Sequence, residues 1–219
     1  MPTTLQDRRV AAALDRMYAE TREQRQALLD KHEELERLPS VSAQERAEAM
    51  SAFYMPVTPE AGRLLYSFVR AACPTTIVEF GMSFGISTIH LASAARDNGS
   101  GQVVTTELSA TKIAAAKHTF AETGLDDLIT VLDGDALSTL ADLDGPVGFV
   151  LLDGLKELYL PVIKLLEPRL SPGAIVVADN TEMAGTQPYL EYVRDAENGY
   201  VSVSYPAKDN DSMEISCRV

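Results

Sequence analysis

Five short segments of the chain carry side chains that can do chemistry, and each stands where an apolar run stops. The first is Glu79-Phe80-Gly81-Met82-Ser83-Phe84-Gly85-Ile86-Ser87. The others are Glu107, Asp133-Gly134-Asp135-Ala136, Asp153 with Lys156, and Asp179-Asn180. In an open parallel sheet the carboxyl ends of the strands are where ligands bind, so this placement reads as one site written in strand ends. Gly81 and Gly85 suit a strand-turn-helix whose backbone bends sharply or lets a ligand approach, and a plain connection with no ligand needs the same residues. Their spacing is not the G-x-G-x-x-G dinucleotide pattern, which argues against hydride transfer. Glu107, at the end of a second strand, is placed to accept hydrogen bonds from two ribose hydroxyls. It also suits the dipole of the helix that starts near Ser109. Asp135 has two readings, an acceptor for an adenine amino hydrogen or a helix cap.

The elements that must position these residues are legible as alternation. Apolar runs at 76–80, 102–106, 128–132, 147–152 and 174–178 alternate with amphipathic helical stretches at 87–96, 111–122, 137–140 and 158–166. Continuous apolar strands interleaved with helices predict a doubly wound, mostly parallel sheet covered on both faces. A helix at 188–194, a strand at 200–205, a polar turn from Lys208 to Ser212 and a strand from Met213 to Val219 predict an antiparallel terminal hairpin. Upstream, residues 4–38 lack Gly and Pro and are rich in strong helix formers, so one long helix is expected, ended by Pro39. Its stripe of Val10, Leu14, Met17, Leu28 and Leu35 is interrupted by Thr21 and Gln24, too thin for burial on several sides. Ser42 with Glu45 forms a capping box for a helix to about Phe53, and Thr58-Pro59-Glu60 starts another that turns Leu64, Leu65, Phe68 and Val69 inward. The expected division is an N-terminal helical extension, 1–54, and one catalytic domain, 55–219.

Composition bounds the function. The 219 residues are 46% hydrophobic and 23% charged, ordinary for a globular chain with a substantial core. A formal charge of −13, with no run of Lys or Arg, argues against nucleic acid as a partner. Cys73 and Cys217 offer neither a zinc spacing nor a disulfide framework, and a reducing cytoplasm is expected. Asp7, Arg8, Arg9, Asp15 and Arg16 interrupt any apolar leader, and no span of about 18 apolar residues follows, so a soluble, unanchored chain with no membrane partner is expected. His32, His90 and His118 lie in separate helices with no Ser or Cys to pair with, and no triad is proposed.

Taken together, residues 79–87, Glu107, Gly134-Asp135-Ala136, Asp153-Gly154-Leu155-Lys156 and Asp179-Asn180 resemble the class I S-adenosylmethionine (SAM)-dependent O-methyltransferases of the catechol and caffeoyl-CoA type. The resemblance runs from about Met55 to the C-terminus, and its specific part is the Asp-x-x-Lys plus Asp-Asn pair. Tyr54-Met55-Pro56-Val57-Thr58-Pro59 is similar to the family's segment that touches the cofactor's methionine end and the substrate mouth. The resemblance implies a seven-stranded Rossmann-like methyltransferase sheet. It implies SAM contacts from Val57, Glu79, Gly81, Ser83, Gly85, Ser87, Glu107, Leu108, Asp135, Ala136 and Asp153. It implies a divalent cation, Mg2+, on Asp153, Asp179 and Asn180, with Lys156 and Asp153 as the catalytic pair. A small phenolic acceptor completes what it implies. Separately, the long thin-striped N-terminal helix can wrap its own domain or exchange with a twofold mate, and a homodimer is expected because dimers are the commonest assembly.

Chemistry fits that set. Two carboxylates and an amide oxygen are hard ligands suited to octahedral Mg2+, and such an ion lowers the pKa of a bound hydroxyl. Lys156 can take the hydroxyl proton or simply balance the carboxylates. Well-oriented displacement then gains on the order of 7–11 kcal/mol. Without a cation the same acids would form an unfavourable cluster. Tyr159 reads as core or pocket wall. The chain departs from the family in having no Trp, with Leu155 at the position of a common aromatic. Its late acid is either Asp209 or Asp211. Rival readings of these residues are a metal-independent methyltransferase on nitrogen or carbon, and a cofactor-binding protein without catalysis.

Overall fold

A computed structural model describes residues 3–36, 41–208 and 211–219. After a 3-10 turn at Thr4–Gln6 come α1 (Arg8–Glu36), α2 (Ala43–Ala49) and α3 (Pro59–Ala72). The alternating part follows as β1 (Thr76–Phe80), α4 (Ile86–Asn98), β2 (Gln102–Glu107), α5 (Ala110–Thr123), β3 (Ile129–Asp133), α6 (Ala136–Thr139), β4 (Val147–Leu152), α7 (Tyr159–Leu166) and β5 (Leu170–Ala178). The chain closes with α8 (Gln187–Arg194), β6 (Tyr200–Lys208) and β7 (Asp211–Arg218).

The seven strands lie in the order β3-β2-β1-β4-β5-β7-β6, the first five mutually parallel and β7 antiparallel to both of its neighbours, β5 and β6. This is the expected mostly parallel sheet with a terminal hairpin. Strand side chains alternate between two cores, as the period of two requires. Ile77, Val103, Phe149 and Val177 pack with α1, α3, α4 and α5 on one face. Val78, Val104, Val150 and Val176 pack with α6, α7 and α8 on the other. Between β1 and β4 the winding reverses, and a crevice opens at the strands' carboxyl ends.

The entry helices follow their caps. Ser42 and Glu45 form the expected capping box, but α2 ends at Ala49 rather than near Phe53, because the next residues turn back through Ser51 and Phe53 amides bonded to Glu48 and Met50 carbonyls. Thr58 caps α3 by accepting from the Ala61 amide, with Pro59 in its first turn. The first half of α1 buries Val10, Ala13, Leu14 and Met17, while Leu28 is half-buried and Leu29 is exposed. The expected end of that helix near Pro39, the side chains of His32 and Leu35, and Asp209 lie outside the described residues. The strands of the hairpin run further than expected, to Lys208 and from Asp211, so the polar turn is narrower than its composition suggests. On the edge strand β6, Val201, Val203 and Tyr205 alternate on an exposed face.

Candidate active site at the sheet crevice

The glycine turn between β1 and α4 is tight for steric reasons that can be named. Gly81 has φ +97°, and a Cβ there would stand 2.6 Å from the Gly154 backbone. Gly85 has φ +89°, and a Cβ there would stand 2.5 Å from the Phe120 ring. Ser83, between them, adopts a left-handed φ of 51°. The turn therefore lies directly against the end of β4, where the Asp153 amide bonds to the Phe80 carbonyl at 2.8 Å.

Tyr54, Met55, Pro56, Gly81, Ser83, Phe84, Ser87 and Asp153 line a cleft of about 230 Å³ in this corner. The rings of Tyr54 and Phe84, stacked with centroids 4.2 Å apart, take up part of it. Tyr54 is held from the long N-terminal helix: its hydroxyl donates to Glu20 at 2.7 Å and its amide to Gln24 at 3.1 Å. One of the two polar interruptions of the α1 stripe, Gln24, thus has a use that composition alone does not disclose.

Glu79 is fully buried on β1. Thr88 and Thr105 hydroxyls donate to its Oε2 at 2.5 Å each, and Oε1 has no donor in hydrogen-bond geometry. Burial raises its pKa above the ordinary glutamate value, against the opposing pull of the Ser87, Thr105 and Thr88 hydroxyls, and the nearby Glu107 charge adds to the rise. A buried acid served only by hydroxyls is suited to receive a cationic group such as an ammonium. Glu107 collects three backbone amides, Ser83 at 2.8 Å, Leu108 at 2.8 Å and Ser109 at 2.9 Å, and so faces the glycine turn. Asp135 is exposed and caps α6 by accepting from the Leu137 amide at 3.2 Å, the second of its two expected roles. Ala136 is buried, and Val57 is a buried core residue that is not among those lining the cleft.

The second cluster sits one strand over. In the β4–β5 register Leu152 faces Ala178, so Asp153 and Asp179, the next residue of each parallel strand, leave the sheet side by side. Lys156 donates to Asp153 Oδ1 at 3.2 Å and to the Tyr159 hydroxyl at 2.7 Å, and that hydroxyl donates to the Asp179 carbonyl at 2.9 Å. Tyr159 is fully buried, and its phenol pKa is pushed well up, by burial first and then by the Asp153, Asp179, Tyr189 and Asp211 charges. It is more than a wall: it ties the lysine to the tip of β5. Asn180, with a left-handed φ of 57°, donates its amide nitrogen to Asp211 at 2.6 Å. Asp211 is one of the two expected late acids. Leu155 packs half-buried against the α7 core.

Among the described residues no group of three or more His, Cys, Asp or Glu is arranged to hold a metal. The expected ligand set has two carboxylates and one amide, so its fit rests on the chemistry of those donors and on the register that sets Asp153 beside Asp179. Sequence reasoning passed over one charged group altogether. Lys112, in the first turn of α5, is 2% exposed, and its Nζ donates to Ser83 Oγ at 3.2 Å. Nothing in a helical spacing distinguishes it from the exposed lysine at 117.

Fold and crevice together define a doubly wound, Rossmann-like architecture with its cleft at the strands' carboxyl ends. The sequence pattern of the family described as "Methyltransferase domain" matches residues 78–181. Over 146 residues the chain is 35% identical to a Mycobacterium tuberculosis protein named "Probable O-methyltransferase", covering 62% of this chain and 61% of that one. It is 29% identical over 151 residues to catechol O-methyltransferase B of Danio rerio, covering 66% and 56%. The chain thus spans about three fifths of the length of these relatives. Among solved structures, the O-methyltransferase from Bacillus cereus in complex with SAH superposes with a TM-score of 0.69 at 21% identity, covering 84% of this chain and 93% of that one. TomG from Streptomyces achromogenes, in complex with SAM, superposes with a TM-score of 0.70 at 22% identity, covering 84% and 92%. In sequence and in fold the chain resembles the SAM-dependent O-methyltransferases, catechol and caffeoyl-CoA types included.

Proposed function

We propose that the chain is a SAM-dependent O-methyltransferase that methylates a hydroxyl of a small, chelating, catechol-like molecule with the help of Mg2+. The observation that carries this reading is the position of Asp153. It lines the cleft beside the glycine turn, and in the adjoining cluster it is bonded to Lys156 and paired by register with Asp179.

In this reading Glu79 receives the amino group of the methyl donor's methionine portion, and Glu107, oriented by three amides, accepts from the ribose hydroxyls. Gly81 and Gly85 let the donor approach the backbone. Val57, Ser83, Ser87, Leu108, Asp135 and Ala136 complete the proposed contacts. The donor supplies a methyl group on a sulfonium centre. Asp153, Asp179 and Asn180 are the proposed holders of Mg2+, which would supply a Lewis acid that lowers the pKa of the substrate hydroxyl. Lys156 Nζ is the proposed acceptor of the hydroxyl proton, kept on station by Tyr159. The bound donor would supply its methyl group to the substrate oxygen, that carbon's bond to sulfur being broken and S-adenosylhomocysteine (SAH) being the product released. Residues 1–54 are proposed to cover the mouth, a role supported by the Glu20 and Gln24 bonds to Tyr54. No helix among the described residues is long and apolar enough to cross a membrane. A cytoplasmic homodimer is part of the same proposal.

The test is methyl transfer from SAM to a panel of catechols, with Mg2+ and with excess chelator. The expected result is O-methylation that drops by about a hundredfold or more on chelation. Equal turnover in both would remove the metal, and transfer to amines or carbon acids instead of hydroxyls would remove the acceptor class.

A further inference from the structure

Lysine side chains usually run their stems along apolar surface and keep the ammonium in water. Lys112 does not: it ranks among the largest fully buried side chains of the molecule. Its ammonium donates to a neutral hydroxyl, Ser83 Oγ, at 3.2 Å and stands 5.5 Å from the Phe84 ring centroid. Burial pulls its pKa down to about 8, and the Glu107 charge only partly offsets that. Holding an ammonium there costs stability that an apolar side chain of similar length would not forfeit. Buried ionisable groups kept at such a cost in a cleft concentrate at functional sites.

Two of the groups around the Lys112 ammonium, Ser83 and Phe84, line the cleft, and the Ser83 amide donates to Glu107, whose charge the ammonium also feels. The ammonium thus ties the first turn of α5 to the glycine turn, whose Ser83 amide in turn reaches the tip of β2. It does so at the residue of the glycine turn whose left-handed backbone is unfavourable for a serine.

We propose that Lys112 is a positioning residue of the methyl-donor site: its ammonium fixes the Ser83 turn against Glu107 so that the carboxylate meets the donor's ribose diol. The proposal rests on the SAM reading above. Lys112 acts through Ser83 and Glu107, so its removal weakens every ligand that carries the diol, whether or not the ligand bears the sulfonium charge.

The test is calorimetric binding of SAM and of SAH to the full chain, wild type, K112M, S83A and the double variant, with thermal unfolding of each. K112M is expected to bind both ligands about tenfold or more weakly while unfolding no lower than wild type. S83A, which keeps the lysine and removes its acceptor hydroxyl together with Ser83's own proposed contact to the donor, is expected to weaken both ligands as well, and the double variant to be no weaker than the weaker single one. In turnover the K112M loss falls on KM for SAM rather than on kcat. Wild-type affinity in K112M, additive losses in the double variant, or a loss confined to SAM would each overturn the proposal while leaving the SAM reading in place. A wild-type chain that binds neither ligand would overturn that reading and this proposal with it.

Discussion

Lys156 is held by two neighbours with opposite characters, the Asp153 carboxylate and the Tyr159 phenol. If it receives the substrate proton, K156M should lower kcat by roughly 100-fold or more while SAM affinity stays near that of wild type, measured by initial rates and calorimetry. His90 makes a separate residue-scale expectation. It is 4% exposed, neither ring nitrogen has a hydrogen-bond partner, and burial, aided by Arg63, lowers its pKa to about 4. The unfolded chain binds a proton on this histidine near its ordinary value of 6.5, and the folded chain does not until about pH 4. Its contribution is therefore whole above pH 6.5 and is lost as pH falls to 4, by up to about 3 kcal/mol. Urea unfolding at pH 7.5 and pH 4.5 should show a steeper loss for wild type than for H90Q. At this scale Asp153, Lys156, Asp179 and Asn180 were legible because each follows an apolar run that could only be a strand. Lys112 and the Tyr159 bridge were not, because a helical spacing cannot tell a buried lysine from one in water.

At the scale of elements, the sheet was legible because parallel strands buried on both faces leave unbroken apolar runs, and because caps such as Thr58 and Ser42 mark helix starts locally. Where expectation fell short, at the end of α2 and in the width of the hairpin turn, the deciding bonds were backbone bonds that no side chain announces. The glycine turn has a double cause. Gly81 is required by the Gly154 backbone whether or not a ligand binds, so a sequence reader sees the need for glycine without seeing which need it is. G81A combines a strained φ with a clash against backbone that cannot swing aside, and should cost about 2 kcal/mol or more by chemical denaturation. A cost below about 0.5 kcal/mol would mean that the turn is looser than its contacts indicate.

For the whole molecule, the question is whether the N-terminal helix is an appendage or part of the domain. Its first half shares a core with α3, α4 and α5 through Val10, Leu14 and Met17. The start of the chain is fastened to α4 where Thr4 and Tyr66 both donate to Asp97. The first helix of the expected extension, residues 1–54, is thus packed on the domain, since a single buried face is enough once α5 lies beneath. M17A should destabilise the entire chain by about 2–4 kcal/mol in one cooperative transition. A loss under about 0.5 kcal/mol would mark a detachable arm.

The claim on which the functional account turns is that Asp153 and Asp179 hold a divalent cation beside the methyl donor. Calorimetric titration of Mg2+ into the SAH-loaded chain tests it without any assumption about the acceptor. The account predicts one saturable site in wild type, weakened about tenfold or more in D179N with SAH affinity retained. No saturable binding in wild type, or equal binding in D179N, would contradict it.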